Sequence, residues 1–339
     1  MWAPLWRAAC EGLPLPPEVH VHSRNLALAL LRVAIWNDHR HTVAELLQKI
    51  QADRCFGPGT SIADLANVVV GQHMRPLGYA AMHGSVQAAA ALLDAKASVN
   101  GTELTKAKPL YLAASHGHPS MVSLLTDANA DVDEGVDGRT LTGYAARAGD
   151  CTATMHLLAA KAQPDTADET SATPLCVAAD QGFVTIARAL IWAKADVDRC
   201  GAVSSWPPLM CASRRGHVAV AKALIDAQAD VNKVNYGHRT ALSHAAEHGR
   251  TAVVVLLVGA KADVNDTRSG QPPLVGAATH GHRRAVSKLL QGKADVHQAD
   301  KYGWTAYRYA SQKGHMDVVA LLVQAKAGLD VRMPDAQLE

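Results

Sequence analysis

From residue 75 onward, short apolar runs and polar stretches alternate on a fixed beat. One run has the form Leu-x-x-Ala-Ala and ends at a glycine, as in PLYLAASHG (109–117), PLCVAADQG (174–182) and ALSHAAEHG (241–249). A second run follows and carries paired aliphatics, as in HPSMVSLL, FVTIARALI and HMDVVALL. In both runs apolar residues recur at three- and four-residue spacing, so each predicts a helix with one buried face. Alanine pairs let such helices approach closely while Leu and Val fill between them. The glycine between the runs fits a turn that needs positive φ. Polar stretches such as NKVNYGHRT (232–240) and HQADKYGWT (297–305) then predict β-turns.

The glycines are Gly84, Gly117, Gly149, Gly182, Gly216, Gly249, Gly281 and Gly314, spaced 33, 32, 33, 34, 33, 32 and 33 residues apart. A beat this regular marks a repeat architecture of helix–turn–helix units. Residues 1–74 keep it less well. LWRAACEG (5–12) has the spacing but runs into LPLPPE, which breaks a second helix. LRVAIWNDHRHTVAELL (31–47) predicts a helix pair with Asp38 at the glycine position. GPGTSIADLANVVVG (57–71) predicts a loop and a short helix begun at Ser61.

The chain resembles the ankyrin repeat family. The residues that carry the resemblance are the 33-residue period, Thr173-Pro174-Leu175, the Gly-His pairs at 117–118, 216–217, 281–282 and 314–315, and the Ala-Asp-Val-Asn endings at 229–232 and 262–265. The resemblance implies an all-α solenoid of stacked antiparallel helix pairs with short β-hairpin fingers. It divides the chain into degenerate repeats and a cap over 1–74, eight repeats over 75–331 and a tail over 332–339.

Two departures stand out. Before the Ala-Asp ending the family usually has glycine in a left-handed conformation; here the positions hold Lys96, Asn129, Lys161, Lys194, Gln228, Lys261, Lys293 and Lys326. A non-glycine held there costs about 1–2 kcal/mol, and a lysine at a helix C-terminus recovers about 0.3–1 kcal/mol. The lysines read as a helix-end habit copied with the repeat, with Asp165, Asp196, Asp263 and Asp295 nearby to neutralise them. The second departure is the position after Thr-Pro-Leu, where the family often has a histidine that ties repeats together. Gly78, Tyr111, Gly143, Cys176, Met210, Ser243, Val275 and Arg308 stand there instead, so weakened ties between repeats are expected.

Composition narrows the function. Aromatics are 4% and net charge is +2, too small to argue for nucleic acid. Residues 1–209 hold 16 Lys+Arg against 20 Asp+Glu and residues 210–339 hold 17 against 11, an asymmetry that suits a polar partner or head-to-tail self-association. Six scattered cysteines without a CxxC pair read as reduced thiols. Neither a secretory leader nor an apolar run of about 20 residues is visible. The expectation is a cytoplasmic protein, with the nucleus left open, and no membrane insertion.

No catalytic constellation is visible. His116/His118 and His280/His282 are the tightest histidine pairs, but the histidine after glycine belongs to the repeat pattern. Cys176 and Cys211 fall at nearly matching positions in adjacent repeats and read as small buried residues. The expectation is no metal, no cofactor and no enzymatic activity.

Function should lie where repeats differ. Before the turn glycines stand Asp180-Gln181, Arg214-Arg215, Glu247-His248, His280 and Lys313; at the fingers stand Arg139, Trp206, Tyr236, His238, Arg239, Tyr302 and Trp304. Trp, Tyr and Arg dominate binding hot spots. Trp206 and Trp304 are read either as exposed contacts or as rings folded back on their fingers. The resemblance implies a scaffold or adaptor binding a protein partner on the concave face of the solenoid. The alternatives are nucleic acid or another acidic partner at the basic C-terminal half, and a regulatory subunit of an assembly whose activity lies elsewhere.

Overall fold

The computed structural model describes residues 3–16, 20–69, 74–101, 108–133, 135–136, 139–167, 172–199 and 206–330. The chain forms two compact units, Met1–Gln163 and Pro164–Glu339.

The first unit opens with α1 (Ala3–Glu11), α2 (Arg24–Trp36), α3 (Arg40–Ala52) and the short α4 (Ile62–Ala66). The pairs α5 (Pro76–His83) with α6 (Val86–Asp94), α7 (Pro109–Ser115) with α8 (Pro119–Asp127), and α9 (Leu141–Ala148) with α10 (Cys151–Ala159) follow. Between α8 and α9 lie β1 (Gly135–Val136) and β2 (Arg139–Thr140), an antiparallel pair with Val136 opposite Arg139. Ser61 caps α4 through a reciprocal box with Asp64. Asp38 adopts φ 58° where the repeats have glycine. Its carboxylate accepts from the Ala88 amide at 2.8 Å, so the side chain serves the N-terminus of α6, which explains an aspartate there.

The second unit is two rows of helices. The first row is α11 (Pro174–Gln181), α13 (Pro208–Arg215), α15 (Ala241–Glu247), α17 (Pro273–Thr279) and α19 (Ala306–Gln312). The second is α12 (Val184–Trp192), α14 (Val218–Asp226), α16 (Thr251–Gly259), α18 (Arg283–Gln291) and α20 (Met316–Asp330). Each first-row helix packs on the next and on its own second-row partner. The alanine pairs Ala178-Ala179, Ala245-Ala246 and Ala277-Ala278 are fully buried, which is what allows helices to lie this close. Proline begins α11, α13 and α17, where its missing N–H costs nothing. Thr173, Thr240 and Thr305 accept the amide three residues on as N-caps.

All eight turn glycines have φ between 63° and 90°. A second constraint acts at several of them. A Cβ on Gly182, Gly249 or Gly281 would meet the ring of His217, His282 or His315 at 2.6–2.7 Å. Those rings lie there because Nε2–H of each donates to a carbonyl of the preceding repeat: Asp180 at 3.1 Å, Glu247 at 2.9 Å and Thr279 at 3.2 Å. Arg250 takes the histidine position in its repeat and donates to the Arg214 carbonyl at 3.0 Å. In the first unit His118 reaches the Met82 carbonyl at 3.1 Å in the same way.

A second ladder runs through the repeat endings. The Asp196 amide donates to Asp165 at 3.0 Å, Asp230 to Asp198 at 3.1 Å, Asp263 to Asn232 at 2.8 Å and Asp295 to Asn265 at 2.9 Å. Ties between repeats are therefore made by the Gly-His histidines and the terminal Asp/Asn, and the missing histidine after Thr-Pro-Leu leaves both ladders in place. Lys96, Asn129, Lys161, Lys194, Gln228, Lys261 and Lys293 all keep positive φ, 62–68°. Lys326 instead lies inside α20.

Candidate functional site

The C-terminal ends of the first-row helices in the second unit bring several of the expected residues together, and most arrive already paired. Arg215 grips Asp180 with both arms, Nε to Oδ1 at 3.0 Å and Nη2 to Oδ2 at 3.1 Å, while Arg214 Nη2 lies 3.5 Å from the same carboxylate. Burial works against the Asp180 carboxylate, but the two guanidiniums outweigh it and hold its pKa below the usual value. Arg239 pairs with Glu247. There too burial opposes ionisation, and Arg239 wins, lowering the Glu247 pKa. The Arg215–Asp180 fork fixes side-chain direction as well as charge.

Trp206 is half-buried. Its ring lies 4.5 Å from that of His244, with the Arg214 guanidinium 4.8 Å from its centre. Trp304 is also half-buried, with Arg308 3.9 Å over its ring and Tyr309 5.0 Å away. Tyr309 donates to Asp300 at 2.7 Å, and Asp300 also accepts the Trp304 amide at 2.9 Å. Both tryptophans are thus folded back, held by cation–π and ring contacts. The exposed aromatics of these fingers are Tyr236 and Tyr302, 73% and 69% exposed. Gln181, His238 and Lys313 are exposed as well. Arg139 stands in β2, and its side chain lies outside the described residues.

His280 Nδ1–H donates to the Gly276 carbonyl at 3.0 Å, and its ring stacks on His282 at 6.0 Å. His116 makes the same bond to Leu112 at 2.9 Å and lies 6.4 Å from His118. Both pairs are spoken for by backbone carbonyls. Cys176 and Cys211 are hydrogen-bonded neighbours; that bond and burial push the Cys211 thiol well above its ordinary pKa, which keeps it unreactive.

Two features were not read from the sequence. His244, Glu247 and His248 each offer a possible ligand atom, all within 4.8 Å of one another. The signal was His-x-x-Glu-His inside ALSHAAEHG, hidden because that segment also fits the repeat pattern. Trp192, on α12, is the most exposed large apolar side chain described, at 84%. Exposure of a single ring is ordinary, and α12 belongs to the second row. Among the described residues no helix is long and apolar enough to cross a membrane.

No curated protein matches the chain in sequence. In solved structures 472 chains match, too widely shared a fold to select a function. One is the crystal structure of the human ASB11 ankyrin repeat domain, with TM-score 0.57 and 21% identity over 68% of this chain and 100% of that one. The family description "Ankyrin repeats (3 copies)" matches residues 30–135, 110–199, 142–235, 193–268 and 242–335. With that match, the stacked helix pairs and the left-handed turn glycines, the chain belongs to the ankyrin repeat family.

Proposed function

We propose that this chain is a non-enzymatic interaction module that binds a protein partner through the fingers and first-row helix ends of its second unit. Ankyrin repeats are generally protein–protein interaction modules. The observation that supports this face is the contrast between anchored and solvent-exposed side chains. Arg215–Asp180 and Arg239–Glu247 are preset, and Trp206 and Trp304 are supported from behind. Tyr236 and Tyr302 stand out into solvent beside them. A tyrosine offers a large amphipathic surface with few rotatable bonds, so little entropy is lost on contact. Arg214, Arg215 and Arg239 near this face are paired with Asp180 and Glu247, which favours a protein over a polyanion.

The test is affinity capture from source-cell lysate at two salt concentrations, with the wild-type chain beside a Tyr236→Ala/Tyr302→Ala double variant. Both tyrosines are exposed, so the variant keeps its fold, as circular dichroism would verify. Proteins held by the wild type and lost by the variant are the expected result. Equal retention by both refutes the assignment. Captured nucleic acid that disappears steeply with salt would favour the polyanion reading instead.

A further inference from the structure

The first turns of α15 bury an imidazole that nothing in the repeat pattern requires. His244 is 4% exposed, and neither ring nitrogen has a hydrogen-bond partner. A buried polar group left unpaired is costly, and most such groups in folded proteins find a partner. The adjacent residues offer further ligand atoms instead. His248 follows one turn later on the same helix face, and Glu247 lies beside it; the ligand atoms of the three are all within 4.8 Å. Histidines at i and i+4 project from one helix face, an arrangement by which helices hold zinc. His248 Nδ1–H donates to the His244 carbonyl at 3.0 Å. That bond holds the ring beside Glu247, whose carboxylate lies 4.0 Å from the same Nδ1, and the ring would have to turn to present a nitrogen lone pair to a metal.

We propose that His244, Glu247 and His248 form a binding site for a divalent metal of the zinc class, and that metal binding releases Arg239 from Glu247. Two imidazoles and one carboxylate suit zinc and not the all-oxygen preference of calcium or magnesium. Three protein ligands leave one coordination position open. To reach tetrahedral contact at 2.0–2.1 Å, the ligand atoms must draw in to about 3.4 Å from one another. Side-chain rotation supplies this, since His248 is exposed and Glu247 half-buried.

Two cations oppose the metal. Arg239 holds Glu247, and Arg214 lies 4.8 Å from the centre of the Trp206 ring that packs on His244. Arg214 is anchored near Asp180. Arg239 sits on the finger after Tyr236 and can turn outward once Glu247 takes the metal. The site is therefore expected to be weak while Arg239 is present and stronger without it. A purely structural cluster would not behave that way. Release of Arg239 would also free one guanidinium next to Tyr236, so the metal would alter the finger surface.

The test uses the full chain, stripped of metal, titrated with Zn2+ against a chromophoric competing chelator and with Co2+ for its visible absorption. The wild type is expected to bind one equivalent and to show Co2+ bands of reduced coordination number. His248→Ala, an exposed change that leaves the core intact, is expected to bind at least about tenfold more weakly and lose the bands. Arg239→Ala is expected to bind more tightly than wild type. No bound equivalent in the wild type, or equal affinity in wild type and His248→Ala, overturns the site. Weaker binding by His248→Ala without tighter binding by Arg239→Ala overturns the release of Arg239.

Discussion

Gly249→Ala probes both reasons for a turn glycine at once. At φ 63° an alanine carries left-handed strain of about 1–2 kcal/mol. Its Cβ would also stand 2.6 Å from Nδ1 of His282. That ring cannot stay where it is, so its 2.9 Å bond to the Glu247 carbonyl is lost, a further 0.5–1.5 kcal/mol or so. The single change is thus expected to destabilise the α15–α17 region by about 2–3 kcal/mol. His282→Ala removes the ring and its bond without strain. In the double variant the Cβ meets no ring, so only the backbone strain is added. The two effects should fall short of additivity by about 0.5–1.5 kcal/mol, the share due to the displaced histidine. Native-state hydrogen exchange is the assay, because a repeat array loses cooperativity and a single global transition would blur a local effect. Protection of the α15 and α17 amides in the four proteins yields the cycle. Strict additivity would mean that the glycine is needed for its φ alone, and the steric part of the reasoning would be refuted.

Lys194→Gly and Lys261→Gly relieve left-handed strain at φ 67° and 64° and should each raise stability by about 0.5–1 kcal/mol, read as a higher urea midpoint. Asn232→Ala removes the acceptor of the Asp263 amide and should cost about 0.5–1 kcal/mol, with faster exchange of that amide as the marker. His244 supplies a pH term. Its folded pKa is pulled to about 3, by burial first and Arg239 second, whereas the unfolded value is about 6.5. Unfolding therefore takes up a proton below pH 6.5, and stability is full above that pH and falls toward pH 3 by up to about 1.4 kcal/mol per pH unit. Urea midpoints from pH 7 to 5 should fall less steeply in His244→Ala than in wild type. His83 and His282 are shifted in the same direction, mainly by burial, and contribute to both proteins, so equal slopes would refute the His244 assignment.

The helix pairs and their turns were legible because one residue type answers a local demand. Glycine repeats every 32–34 residues where φ must be positive, and Ser61 announces α4 by the ordinary N-cap preference. Even Asp38 was legible as a turn position, though the reason for an aspartate, its reach to the Ala88 amide, is a contact across 50 residues. What stayed hidden depends on which neighbour a side chain meets in the adjacent repeat. The sequence places Trp206 on a finger but does not say that its ring rests on His244, 38 positions on. Asp180 and Arg215 read as separate variable residues, although 35 positions apart they form one fork. Of the two readings of Trp206 and Trp304 the folded-back one holds, and the neighbouring Tyr236 and Tyr302 carry the exposure. His244, Glu247 and His248 were masked by their agreement with the alanine-rich consensus around them.

The proposed binding surface is the finger face of the second unit. Site-specific photo-crosslinking tests it most directly, with a photoreactive phenylalanine analogue placed singly at 236, 302 or 192 in the full chain. Tyr236 and Tyr302 lie on the fingers and Trp192 on the second row; all three are exposed, so each replacement leaves the core untouched. The account predicts a shared covalent protein adduct from 236 and 302 in source-cell lysate and none of that adduct from 192. An adduct from 192 with none from 236 or 302 would contradict it and move the interaction surface to the second-row helices.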